Sequence, residues 1–162
     1  MYKRDRIKTR ILYACGALAI LICLALTGFM VYSLRLRTEY RAFCLEVNDA
    51  ILAVPEGQIT ISRQEKSAPA SVRSIDYFNA FLLDSGTLVY NRRCEPVTDE
   101  SIVIRLGKKK AFILTGLEDG SVINVRFETP EGTRGFSVLG GYIQFSDLCS
   151  RADIYLQRAG EQ

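Results

Sequence analysis

The sequence predicts an α+β protein: one transmembrane helix extended by an amphipathic helix, then a single, mostly antiparallel β-sheet domain. Three observations carry this prediction. Ile11 to Leu34 is a run of 24 uncharged, mainly apolar residues. From Arg35 to Val54 the apolar residues recur at three- and four-residue spacings. Beyond that, short alternating stretches are separated by Gly, Pro and Asp turns. These are the signatures of a bilayer span, a half-buried helix and strands, respectively.

The segment ahead of the run, residues 1–10, carries Lys3, Arg4, Arg6, Lys8 and Arg10 against Asp5. By the positive-inside rule these cations hold the N-terminus in the cytoplasm and put the C-terminal domain outside. Arg35, Arg37 and Arg41, close after the run, pull the other way but are fewer. The run itself, residues 11–34, is roughly 36 Å long as a helix, enough to cross the ~30 Å hydrocarbon core with some tilt. A cleaved secretory signal fits less well, because its apolar region is ~7 to 15 residues and ends at a small-x-small site. Here apolar residues continue past Leu24-Ala-Leu-Thr-Gly28. Leu12-Tyr13-Ala14-Cys15 superficially resembles a lipoprotein box, yet charges precede it where an apolar region should. An uncleaved signal-anchor in the cell membrane is the expectation.

Residues 35–54 place Leu36, Tyr40, Phe43, Cys44, Val47, Ile51 and Leu52 on one helical face, with Arg37, Glu39, Arg41, Glu46 and Asp49 between them. Pro55-Glu-Gly57 ends that helix. The domain of residues 55–162 then opens with a strand at Gln58–Arg63 and a loop at Ser67–Ser71. Tyr77–Leu83 and Thr87–Tyr90 flank Asp84-Ser-Gly86 and are expected as a hairpin. Strands follow at Ser101–Leu106, Ala111–Thr115 and Val122–Glu128, the last with Ile123, Val125 and Phe127 on one face and Asn124, Arg126 and Glu128 on the other. Glu118-Asp-Gly120 and Pro130-Glu-Gly132 are its turns, and Phe136–Leu139 with Tyr142–Phe145 continue the meander across Gly140-Gly141. The last segment fits either an edge strand or a helix capped by Ser146.

Composition removes whole classes of function. Of 21 Lys+Arg and 18 Asp+Glu, five and one precede the run, leaving 16 against 17 in the outer part, so no nucleic-acid partner is expected. There is no histidine. Ser-His-Asp and Cys-His catalysis are excluded, together with the commonest general base and metal ligand. Three scattered outer cysteines, Cys44, Cys94 and Cys149, are too few for a thiolate zinc site. In an oxidising exterior they allow one disulfide, for which Cys94 with Cys149 is the preferred pair, with three free thiols the alternative. Asp99-Glu100 and Glu118-Asp119 are adjacent turn residues, which cannot flank a glycosidic cleft. No catalytic residue, metal site or cofactor is expected.

Arg92-Arg93 and Lys108-Lys109-Lys110 are the outer basic clusters. Brought together they would contact an anionic surface, and apart they are solvated turns. Tyr77, Phe78, Phe81, Tyr90, Phe112, Phe127, Phe136, Tyr142 and Phe145 furnish a core, and any left exposed make an interaction face.

The order of parts is similar in layout to that of type IV pilins and pseudopilins. That family's processing site has a glycine directly before the apolar run and a glutamate at the fifth position after it. Here Gly16 lies inside the run and the first glutamate is Glu39, so processing and filament entry are not carried over. The expectation is a non-enzymatic, membrane-anchored protein of a bacterial cell envelope. Its residues 11–34 hold the lipid bilayer and its outer domain binds other membrane or envelope proteins. A ligand-sensing ectodomain is the alternative, and a membrane-tethered hydrolase comes after it.

Overall fold

The structure, a computed structural model, describes residues 2–55, 57–84, 88–117, 120–139 and 143–161, with side chains from Leu12 onward. The side chains of Lys3, Arg4, Arg6, Lys8 and Arg10, the Glu118-Asp119 turn, Gly140-Gly141 and Tyr142 lie outside the described residues. The chain divides into two compact units, Met1–Arg35 and Leu36–Gln162.

Helix α1 (Tyr2–Leu52) runs through both. Within the first unit every side chain from Leu12 to Arg35 is exposed. Among the described residues this is the one helix long and apolar enough to cross a membrane by length and composition.

The second unit holds a seven-stranded antiparallel sheet built from β1 (Ile59–Arg63), β2 (Lys66–Ala70), β3 (Leu88–Asn91), β4 (Ile102–Leu106), β5 (Lys110–Leu117), β6 (Val122–Thr129) and β7 (Gly132–Leu139). Their order is β2-β1-β4-β5-β6-β7-β3. Helices α2 (Asp76–Leu83) and α3 (Phe145–Gly160) complete the unit.

One face of the sheet is mainly apolar, with Arg63 and Arg134 at its margins. The register aligns Ile61, Ile104, Phe112 and Phe127 across four strands, with Leu114, Val125 and Phe136 in the next row. Strand side chains alternate, so one register puts all of them on the same side. Leu36, Tyr40, Phe43, Cys44, Val47, Ala50 and Ile51 of α1 are buried in the same core, while Arg37, Arg41 and Leu45 are exposed. The Phe43 ring lies 5.1 Å from Phe136 and 6.4 Å from Phe127, centroid to centroid. Residues 36–52 therefore belong to the same folded unit as the sheet. Asn79 of α2 donates to Asn48 Oδ1 at 2.7 Å, and the Arg151 guanidinium of α3 stands 4.9 Å over the Tyr77 ring. Helix α3 is tied to the β2-β1 edge by Arg63–Asp153 at 2.5 Å and by the Tyr155 hydroxyl donating to the Pro69 carbonyl. At its start, the Phe145 ring fills the space above Gly116, where a Cβ would overlap three ring carbons.

Three sequence expectations are corrected here. Tyr77–Leu83 is helix rather than strand, because Phe78, Phe81 and Leu82 bury at helical spacing. The Ser71 hydroxyl accepts from Ser74 N–H and starts the short 3-10 turn, Val72–Ile75, that leads into it. Asp84-Ser-Gly86 accordingly joins a helix to β3, and Ser85, Gly86 and Thr87 lie outside the described residues. Ser67–Ser71 is largely strand β2 rather than loop, an edge position where proline's missing donor is tolerated. The C-terminal segment is helical. Its cap is Gln144, paired reciprocally with Asp147, and not Ser146.

The opposite face carries a finding that alternation alone did not signal. β3 ends at one edge while β4 lies toward the other, so residues 92–101 cross the back of the sheet. Beneath them Ser101, Thr115, Asn124 and Ser137 form a buried polar row. Ser101 and Thr115 hydroxyls meet at 2.8 Å. Asn124 Nδ2 donates to the Arg93 carbonyl at 2.9 Å and to Ser137 Oγ at 3.0 Å, and its Oδ1 accepts from Glu95 N–H at 3.1 Å. Gly135 lets this strap lie close, since a Cβ there would stand 2.9 Å from the Arg93 carbonyl oxygen and 3.0 Å from Cys94 Sγ.

Candidate functional site

The first turns of α1 past the apolar run and the end of α2 enclose a cavity of about 320 Å3. From α1 come Arg37, Tyr40, Arg41, Cys44 and Leu45, which at i, i+3, i+4, i+7 and i+8 share one side of the helix. From the other wall come Leu82, Leu83 and Asp84. The Tyr40 ring is held edge-on against Phe136 at 5.4 Å, and the residue is 5% exposed. No nitrogen or oxygen atom pairs with its hydroxyl, whose hydrogen-bonding neighbour is the Cys44 thiol one turn on.

Burial pushes the Tyr40 hydroxyl well above the ordinary phenol range, and the neighbouring Cys44 and Asp84 push the same way. Burial also pushes the Cys44 thiol up to about 11, against a smaller downward pull from Tyr40. Both groups are therefore neutral at physiological pH. Cys44 is no nucleophile, since the thiolate is the reactive form. The cavity is lined by the neutral Tyr40 side chain, the Arg37 and Arg41 guanidinium groups and the Asp84 carboxylate. Its lip is apolar, made by Leu45 and Leu83, which are 51% and 48% exposed.

The two outer basic clusters sit on different elements. Arg92 pairs with Glu39 at 3.5 Å, and Arg93 pairs with Glu95 at 2.9 Å on the strap. Lys108, Lys109 and Lys110 sit at the β4–β5 turn beside a wider hollow floored by Ala50, Val54 and Leu106. Lys108 and Lys109 make no ion pair among the described residues, so that turn is a solvated cationic tip.

The expected Cys94–Cys149 disulfide is not formed, and all five cysteines are free. Cys94 lies over Gly135 of β7, whereas Cys149 is buried on α3, where the Arg63 guanidinium of β1 reaches it. Four inter-strand steps of ~4.8 Å separate β1 from β7, about 19 Å in all, against a ceiling of ~7 Å between bridged Cα atoms.

A second feature suits contacts with other molecules. β3 is a sheet edge four residues long, with Leu88 and Tyr90 each 61% exposed and Leu139 of β7 opposite Leu88. The Tyr40 cavity is hidden from sequence reasoning because its second wall, 82–84, falls at the boundary between the expected strand Tyr77–Leu83 and the expected turn at Asp84. Among the described residues no group of three or more His, Cys, Asp or Glu side chains is placed to hold a metal ion. Compared with known protein families, with curated proteins and with solved structures, the chain matches none.

Proposed function

We propose that this chain is a single-pass, membrane-anchored, non-enzymatic protein of a bacterial cell envelope. Its N-terminus is cytoplasmic, and its outer domain engages partner proteins as one component of an assembly. The observation that carries the reading is the exposed apolar surface of residues 12–34, behind a basic leader and ahead of a folded domain. Such a surface is tolerable only where lipid or another apolar helix covers it. The partner-binding part is supported by the open edge of β3, whose unpaired backbone groups and outward Leu88 and Tyr90 suit the addition of a strand. The Tyr40 cavity favours a second reading, a domain that senses a ligand.

Cys94 is a built-in reporter for topology, being the exposed cysteine of the outer domain, while Cys44 and Cys149 are buried. In intact cells a membrane-impermeant maleimide is expected to label wild type and not Cys94→Ser. Labelling that requires permeabilised cells overturns the orientation. A photo-reactive residue at position 90 in native membranes is expected to give specific adducts, whereas one at Arg105, exposed on β4, gives none. Equal yields at both positions overturn the edge as a contact surface.

A further inference from the structure

We propose that the hollow between the end of α1 and the β4–β5 turn docks an acidic segment of a partner protein, which sets an apolar side chain on the hollow's floor and carboxylates against Lys108 and Lys109. The inference rests on the outer domain being a partner-binding component. The hollow measures about 620 Å3. Its floor is made by Ala50, Ala53 and Val54 where α1 ends and by Leu106 where β4 ends, and its rim by the three lysines. Floor and rim are tied together, because the Gly107 N–H donates to the Gln58 carbonyl at 2.9 Å and holds the turn against the chain leaving α1.

Position and charge separate this turn from an ordinary solvated one. Lysines commonly guard a sheet edge against pairing, but β4 and β5 are inner strands flanked by β1 and β6 and have no edge to guard. Three adjacent ammonium groups repel one another, and among the described residues the lining holds no Asp or Glu to offset them. Lys110 acts electrostatically on Glu131, so Lys108 and Lys109 carry the proposal. Glu56, next to Pro55 in the chain, lies outside the described residues, and counted with Glu131 it still leaves the three lysines in excess. That excess calls for an anion, and the floor calls for more than charge. A bare polyanion would leave the apolar floor wet. A small amphiphile would leave much of itself in water, because Ala53, Gln58 and the lysines are exposed, whereas small-molecule sites bury roughly 70–90% of their ligand. A protein segment brings its own cover.

The test places a photo-reactive residue at position 53 of the full-length chain in native membranes and reads the cross-linked peptide by mass spectrometry. One partner segment is expected, with Asp or Glu beside a large apolar residue. Joint Lys108→Ser and Lys109→Ser changes are expected to lower its yield roughly tenfold, about the worth of two exposed ion pairs, while Lys108→Arg with Lys109→Arg retains it. Neither pair of changes should alter the adduct formed from position 90 on β3. The last turn of α1 has no basic residue, so the lysines also face its negative dipole end. A role confined to that would lower the thermal midpoint and both adducts together, and overturns the proposal. So does an adduct with lipid, with a second copy of this chain or with a segment lacking carboxylates, and so does a yield at 53 that survives the serine changes. No adduct at 53 beside a normal one at 90 sinks this site and leaves the partner-binding reading standing, whereas no adduct at either position sinks both.

Discussion

Phe43→Ala is expected to destabilise the outer domain by about 3–5 kcal/mol, a large share of the ~5–15 kcal/mol that holds a typical domain together. Phe43 is 1% exposed and wedged between Phe127 of β6 and Phe136 of β7, so truncation opens a cavity lined by rigid strand side chains that cannot collapse into it. The same reasoning extends to the whole segment. Leu36, Tyr40, Val47 and Ile51 cover the sheet face that Ile104, Phe112 and Leu114 present. A soluble form beginning at Pro55 is therefore expected to lack cooperative unfolding, whereas one beginning at Arg35 keeps it. Urea titration followed by far-ultraviolet circular dichroism checks both, with exposed Leu45→Ala as a control that should move the midpoint by less than ~0.5 kcal/mol equivalent. A cooperative transition in the Pro55 form would mean that the sheet finds another cover for its apolar face.

How much of this was legible in the sequence follows from which signals are local. The α+β class was, as were the positions of β1, β4, β5 and β6, because each depends on a periodic pattern within one segment. Residues 77–83 were not, since Tyr77, Phe78 and Phe81 are types enriched in strands and seven residues are too few for one period to dominate. Their helical state is set by tertiary burial of Phe78, Phe81 and Leu82. Strand β2 was hidden by Pro69, which reads as a breaker unless the strand is known to be an edge. Cys94 and Cys149 illustrate the same limit, because nothing local records that three strands stand between their neighbourhoods at β7 and β1. The cavity beside Tyr40 depends on 82–84 being the end of a helix, so it could not be read before that element was known.

The polar back face shows the sharpest form of this limit and supports the second large expected effect. Alternation along β6 correctly put Asn124 opposite Val125, on a face with Arg126 and Glu128 of the kind that ordinarily meets water. Asn124 is instead 1% exposed, because residues 92–101 must cross from the β3 edge to β4 over that face. Strap backbone arriving on a sheet brings peptide groups that need partners, and Asn124, with a donor and an acceptor on one planar group, supplies them to Arg93 and Glu95. Asn124→Leu keeps the volume and removes both, leaving a carbonyl and an N–H buried without partners, at a cost of about 2–4 kcal/mol. Asn124→Asp keeps the acceptor for Glu95 N–H but sets a carboxylate against the Arg93 carbonyl, so it is expected to be no better. The loss should be local before it is global. Arg92 and Arg93 lie on the strap, and trypsin is expected to cut there faster under native conditions in Asn124→Leu, with the Glu95 amide exchanging sooner than the β5 and β6 ladder. At Glu95 itself a further pin remains in the variant, the Arg126 guanidinium donating to the Glu95 carbonyl at 3.2 Å. Unchanged trypsin resistance and an unchanged urea midpoint in Asn124→Leu would therefore assign the hold on the strap to its other pins, Arg126 at the Glu95 carbonyl, Gln64 N–H at the Asp99 carbonyl and Arg92 at Glu39, and not to Asn124.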